Sequence, residues 1–246
     1  MDRSVYIAMT GATQIMRAQD VVSHNLANAS TTGFKSELDA FRSLPVLGPG
    51  SPSRINAVAQ GIGRDERQGT LQQTGRPLDV AVSGSGWIAV QAPDGSEAYT
   101  RAGSLQLAAD GTLTDAAGNP VIGSGGPITV PASTQVVIGG DGTISSVPLG
   151  QAPSSLNQID QIKLVNPDPS QLSKGADGLL HMNDGSSADA DPGVQLVSGT
   201  LEGSNVNPSE ELVRMISLSR QYDMQVRSIK TAEDDADDSI KLLQSD

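Results

Sequence analysis

Two runs of helix-type periodicity stand at opposite ends of this 246-residue chain, and what lies between them keeps a different period. Near the C-terminus, small or apolar residues recur at Leu212, Met215, Ser219, Tyr222, Val226, Ile229, Ala236, Ile240 and Leu243, interrupted at Glu233. Near the N-terminus the same alternation of three and four runs through Val5, Ala8, Ala12, Ile15, Gln19, Val22, Leu26 and Ala29. A repeat averaging about 3.5 residues keeps one stripe on one side of a helix, where a second helix is needed to cover it.

The first helix is read over residues 4–29. It ends in the breaker-rich passage Asn28-Ala29-Ser30-Thr31-Thr32-Gly33, where Gly33 suits a left-handed cap. The last helix has an explicit start: Asn207-Pro208-Ser209-Glu210 combines a capping amide, a proline at the first helical position and a carboxylate three residues after the cap. From Pro208 to Gln244 it would run roughly 55 Å at ~1.5 Å per residue. A helix that long draws its stability from a partner along its stripe, and the N-terminal helix is the candidate within the chain.

Residues 34–75 show poor periodicity and read as an extended linker, with Pro45, Pro49 and Pro52 close together. Over residues 76–201 the period drops to two. Leu78-Asp79-Val80-Ala81-Val82, Trp87-Ile88-Ala89-Val90, Tyr99-Thr100-Arg101, Leu105-Gln106-Leu107, Thr112-Leu113-Thr114 and Gln135-Val136-Val137-Ile138 are strand candidates. Asp-Gly pairs at 94–95, 110–111, 141–142, 177–178 and 184–185 are hairpin signals. The expected fold is α+β: long N- and C-terminal helices (residues 1–33 and 202–246) pairing coiled-coil-like, with an inserted antiparallel, hairpin-rich β domain.

Charge narrows the function classes. The chain carries a net charge of -12, and residues 77–201 hold twelve acidic against three basic side chains, a net of -9. Nucleic-acid phosphates need the opposite footprint, so no nucleic-acid partner is expected. No stretch approaches the ~20 apolar residues of a membrane span. The uncharged run Val5–Met16 is broken by Thr10, Gly11, Thr13 and Gln14, which argues against a cleaved signal peptide.

Catalytic chemistry finds little to work with. There is no cysteine. His24 sits within the first helix, and His181 has neither a second histidine nor a thiolate to make a metal site or dyad. Ser83-Gly84-Ser85-Gly86 is not a nucleophile elbow, and Gly61-Ile62-Gly63 lacks the third glycine of a dinucleotide loop. The segment Asp184–Asp191 lacks the terminal glutamate and spacing of a calcium loop. The acidic run Glu233, Asp234, Asp235, Asp237 and Asp238 opposes the helix dipole, and reads equally as a solvated face or as a surface paired with basic residues of neighbouring subunits. No catalytic residue, metal or cofactor is expected.

Three groups of residues carry a family resemblance. Ser23-His24-Asn25-Leu26-Ala27-Asn28 through Gly33-Phe34-Lys35 resembles the N-terminal signature of the bacterial flagellar rod and hook proteins. Leu201-Glu202-Gly203-Ser204-Asn205-Val206-Asn207-Pro208, with Glu211-Leu212-Val213 and Met215-Ile216, resembles their C-terminal signature. Asp79-Val80-Ala81-Val82, Gly86-Trp87, Tyr99-Thr100-Arg101-Ala102-Gly103 and Asp110-Gly111 resemble their central domain. Within the family, Met1-Asp2-Arg3, the short length and Arg220–Val226 look most like the proximal rod branch, with the distal rod branch as the alternative. A secreted β-domain glycan-binding module with oligomerising helices is a remoter reading.

The resemblance implies a non-enzymatic structural subunit of the basal-body rod, transmitting torque from motor to hook. It implies export by the flagellar type III apparatus without a cleaved signal peptide, and periplasmic assembly with copies of itself and with other proximal and distal rod subunits. Carried over as assembly elements are Asn25, Leu26, Asn28, Gly33, Phe34, Lys35, Ser204, Asn205, Val206 and Asn207. The stripes add Val5, Ile15, Val22, Leu212, Met215, Tyr222, Val226, Ile229, Ile240 and Leu243.

Overall fold

Helix α1 runs from Arg3 to Ala27 and helix α2 from Pro208 to Gln244. The computed structural model describes residues 3–45, 55–131, 134–148 and 157–244, so Pro49 and Pro52 of the proline-rich stretch lie outside the described residues. Two compact units make up the chain. One comprises Met1–Ala29, Ser36–Asp65 and Val206–Asp246; the other comprises Ser30–Lys35 and Glu66–Asn205.

In the first unit, both helix ends follow from local chemistry. Asn28 closes α1, its backbone N–H donating to the carbonyls of His24 and Asn25 and its side-chain amide donating to His24 at 2.9 Å. The helix therefore stops at Ala27, and Gly33, expected as its cap, lies six residues further on with another role. Asn207 opens α2 as expected: its side-chain oxygen accepts from the Ser209 N–H at 3.1 Å, satisfying one of the free donors of the first turn.

The helices pack together around Ile15, Ala18, Val22 and Leu218, with Met215 and Tyr222 against them. Asn25 reaches Glu211, and Gly11 faces the side chain of Gln225, so the pair is antiparallel. The buried line of α2 differs from the sequence stripe. Met215, Tyr222 and Ile229 lie on its inner or half-buried side, but Leu212 is 48% and Val226 44% exposed, while Leu218 is buried at 4%. The true row runs through Glu211, Leu218 and Gln225 instead. Two of those residues are polar, so a count of apolar positions tilts the stripe toward Leu212 and Val226. The side chains of Ile240 and Leu243 lie outside the described ones.

Within residues 34–75, read as a linker, the described residues hold strands. Glu37–Pro45 and Ile55–Arg64 form an antiparallel hairpin, paired from Glu37↔Arg64 to Pro45↔Ile55 with a register shift between Leu38 and Asp39, and the hairpin packs on α1. Leu71–Gln73 pairs with Thr200–Glu202 in the second unit. These strands hide from period-two reading because their residues are mostly small or polar and the register shift breaks the alternation.

The second unit is built on antiparallel strands. Its largest sheet orders Leu164–Val165, Trp87–Gln91, Glu97–Thr100, Leu180–Met182 and Leu172–Lys174 side by side. Strand Trp87–Gln91 is buried on both faces: Ile88 and Val90 join a core with Val80, Val82, Leu105, Leu113 and Ile144, whereas Trp87 and Ala89 join Tyr99, Val165 and Leu180 on the other side. Alternate side chains of one strand thus serve two apolar clusters. All five Asp-Gly glycines adopt positive φ, between 72° and 87°. In each, the glycine N–H bonds the carbonyl three residues back, and the aspartate oxygen accepts the N–H two residues on. The aspartate is therefore the third residue of a β-turn and the glycine its left-handed fourth, an arrangement that favours these two residue types. Four of these turns close hairpins; that at Asp184 follows a strand without joining two.

Candidate assembly interface

Asn25 shows what the Asn-Leu-Ala-Asn signature does within one chain. Its side chain is fully buried. The amide Nδ2 donates to the Glu37 carbonyl at 3.0 Å, and Oδ1 accepts the Glu37 N–H at 2.9 Å. One asparagine thereby pairs both backbone groups of the residue that starts the hairpin, which no aliphatic side chain could do. Nδ2 also lies 3.4 Å from Glu211 Oε1 of α2. The hairpin is tied again by an ion pair between Arg214 of α2 and Asp39, whose side chain is 3% exposed. Helix α1, helix α2 and the hairpin therefore converge on Asn25.

The Gly-Phe-Lys signature serves the second unit. Lys35 Nζ meets Glu202 Oε1 at 2.6 Å, with side chains 3% and 1% exposed, and donates to the Arg67 carbonyl at 2.8 Å. Glu202 Oε2 accepts from Arg101 Nη1 at 3.0 Å, and Oε1 also accepts the Gly69 N–H at 2.9 Å. Arg101 in turn donates to the Gly84 carbonyl at 2.7 Å and places its guanidinium 5.1 Å from the centroid of the Trp87 ring. One buried carboxylate thus holds two buried cations. Burial lowers the Lys35 pKa, opposed by the hydrogen bond and charge of Glu202.

Gly33 sits at φ +70°, donates to the Glu202 carbonyl at 2.8 Å, and packs so closely that an added Cβ would stand 2.3 Å from the Arg101 carbonyl carbon. Glycine is needed there for close approach as well as for conformation. Phe34 receives the Lys174 ammonium 5.3 Å from its ring centroid and accepts the Asn205 N–H through its carbonyl, while Asn205 Nδ2 donates to Arg67. The Gly-Phe-Lys and Leu-Glu-Gly-Ser-Asn signatures are therefore two sides of one packed junction.

The structure sorts the expected interface residues by exposure. Ile15, Val22, Asn25, Lys35 and Val206 are buried within the chain; Val5, Leu26, Asn28, Gly33, Phe34, Ser204, Asn205, Met215, Tyr222 and Ile229 are half-buried; Asn207, Leu212 and Val226 are exposed. Beyond them stands a second apolar row that periodicity did not single out. On α1, Tyr6 is 61%, Met9 52% and Met16 51% exposed; on α2, Val213, Ile216 and Met224 are likewise exposed. Arg101 and Glu202 entered the sequence reading as motif letters only. A charged residue inside a strand-forming run is the signal that marks them, since burial of such a group demands a partner.

The remaining polar candidates are local. His181 Nε2 lies 3.0 Å from Asp177 Oδ2, and Asp184 accepts from the backbone and hydroxyl of Ser186 in a turn. Among the described residues no group of three or more His, Cys, Asp or Glu is placed to hold a metal ion, and no helix is long and apolar enough to cross a membrane. Glu233, Asp234, Asp235 and Asp238 are exposed on α2; the side chain of Asp237 lies outside the described ones.

Three family descriptions match the chain in order: flagella basal body rod protein over residues 5–35, flagellar hook protein FlgE/F/G D1 domain over 81–146, and flagellar basal body rod FlgEFG protein C-terminal over 197–242. The flagellar basal-body rod protein FlgF of Salmonella typhimurium is 41% identical over 249 residues, covering 99% of each chain, and that of Escherichia coli is likewise 41% identical with the same coverage. A FlgG rod protein of Buchnera aphidicola is 36% identical over 94% of this chain and 95% of its own. With both signature segments matched and locked by Asn25 and Glu202, the chain belongs to the flagellar basal-body rod protein family, on its FlgF-like side.

Proposed function

We propose that the protein is a structural subunit of the proximal rod that polymerises through the outward faces of α1 and α2, and that those faces meet neighbouring subunits in coiled-coil-like contacts. One observation carries the reading. The two end helices cover each other around Ile15, Ala18, Val22 and Leu218, yet each keeps a second apolar row in solvent. Exposed apolar rows of this kind mark interaction surfaces. Copies of the same chain and other rod subunits are the partners, reached after type III export into the periplasm, and the rod so built carries torque.

The test separates the outer row from the inner seam. Tyr6→Asp and Ile216→Asp alter side chains that touch little within the chain, so the purified variants keep wild-type helix content and thermal midpoint. In a strain lacking its own copy, each is expected to be made at normal level and to fail to restore swimming or to enter isolated basal bodies. Normal swimming by both variants would refute the assignment.

A further inference from the structure

The chain has six methionines and no cysteine, so thioether chemistry is all its sulfur can offer. Among the five whose side chains are described, three are more than half exposed: Met9 at 52%, Met16 at 51% and Met224 at 57%. All three lie on the terminal helices. Met9 and Met16 are seven residues apart, and at ~100° per residue they return to within about 20° of each other. They share that side of α1 with Tyr6, turned away from Ile15, Ala18 and Val22. Met224 shares the outward side of α2 with Val213 and Ile216. By contrast, Met182 is half-buried against the Trp87–Tyr99 cluster and Met215 against the Ile15–Ala18–Val22–Leu218 seam.

We infer that Met9, Met16 and Met224 form a peroxide-sensitive modification site that governs whether the helix faces can assemble; the inference rests on the assembly reading above. The sulfur lone pair attacks one peroxide oxygen, the O–O bond breaks, and an S–O bond forms. The departing hydroxide takes up a proton to leave as water, so sulfur loses two electrons and peroxide gains them. Each event turns a flexible apolar side chain into a polar acceptor, which is disfavoured in an apolar contact. Because the oxidised groups lie outside the intrachain seam, the fold persists while the docking face changes. Assembly covers the same thioethers, so sensitivity belongs to the subunit before incorporation. Reduction of the sulfoxides by a thiol-dependent reductase restores the face.

The experiment compares the wild-type chain with the triple variant Met9→Leu, Met16→Leu, Met224→Leu, a volume-conserving change. On the purified full chain treated with hydrogen peroxide, peptide mass spectrometry is expected to find one added oxygen at the three exposed sites at least tenfold sooner than at Met182 or Met215, with far-UV dichroism unchanged. In cells lacking their own copy, incorporation of each chain into basal bodies is read relative to the same chain without treatment. After a peroxide pulse during subunit synthesis, wild-type incorporation falls severalfold and that of the triple variant falls much less. Equal falls in both chains overturn the inference, as does unimpaired wild-type incorporation with the three sulfoxides formed. A wild-type chain that never enters basal bodies, even untreated, overturns the assembly reading itself and the inference with it.

Discussion

Replacing Glu202 by Gln removes one charge and almost no volume, yet it disturbs three groups at once. Glu202 accepts from Lys35 at 2.6 Å, from Arg101 at 3.0 Å and from the Gly69 N–H at 2.9 Å, in a site where all three charged side chains are at most 3% exposed. A glutamine keeps one acceptor and turns an amide N–H toward a cation, so two buried positive charges are left without their counter-ion. Breaking a buried pair from one side costs about 3–5 kcal/mol, because the partner stays buried and uncompensated. For a unit of this size, ~2–4 °C per kcal/mol converts that into a fall of roughly 6–20 °C in the thermal midpoint. The single tryptophan makes the assay direct, since Trp87 lies under the Arg101 guanidinium and its fluorescence follows this junction. Replacing the whole cluster by Lys35→Met, Arg101→Met and Glu202→Leu is expected to recover most of the loss, as apolar side chains carry no desolvation penalty. A Glu202→Gln shift under about 2 °C, the scale of an exposed pair, would refute the assignment of this cluster as the lock of the second unit.

Three further outcomes follow from the packing. Gly33→Ala meets both a positive φ and the Arg101 backbone, so urea unfolding followed at Trp87 is expected to show a loss of about 1–3 kcal/mol, whereas Gly84→Ala, with open space around it, loses less. Leu218→Ala should cost about 2–5 kcal/mol in the helical unit, while Leu212→Ala stays within ~0.5 kcal/mol; helix dichroism against urea measures both, and equal losses would restore the sequence stripe. The turn aspartates set an acid limit. Hydrogen bonds from the Ser96 hydroxyl, the Thr112 backbone, and the Thr143 and Ser186 hydroxyls hold Asp94, Asp110, Asp141 and Asp184 below the usual carboxylate pKa. A folded pKa below the unfolded 3.8 means their contribution is present above that pH and lost as pH falls through the lowered values. Urea midpoints for wild type and Asp110→Ala should accordingly differ most at pH 7 and draw together as pH falls below 3.8; a difference that does not shrink in acid would contradict the linkage.

The start of α2, the Asp-Gly turns and the strands from Val80 to Ile138 were legible because their causes are short-range, whereas the individual strands between Thr143 and Glu202 were not. Asn207-Pro208 opens a helix wherever a helix follows, and an Asp-Gly pair bends the chain with its own side chain and backbone. The hairpin at residues 37–64 was not legible: small and polar side chains give it no period, and what specifies it is Asn25 pairing with Glu37 and Asp39 with Arg214. The seam between the two helices was legible in part. Periodicity located both helices and much of the seam on α1, but it placed the buried line of α2 through Leu212 and Val226, since it scores Glu211 and Gln225 as polar without knowing that each faces a specific neighbour.

By itself, the sequence determined that two long helices would end the chain, that antiparallel hairpins would lie between, and which signature residues it shares with rod proteins. Only the tertiary structure decided what those signature residues do. Lys35 and Glu202 are 167 residues apart, and nothing local to either says that they meet, that Arg101 joins them, or that Gly33 must lack a side chain where it touches Arg101. Local propensity depends on a few neighbouring residues and can be read from them. A buried charge depends on which distant group arrives to neutralise it, and only the folded chain brings that group into place.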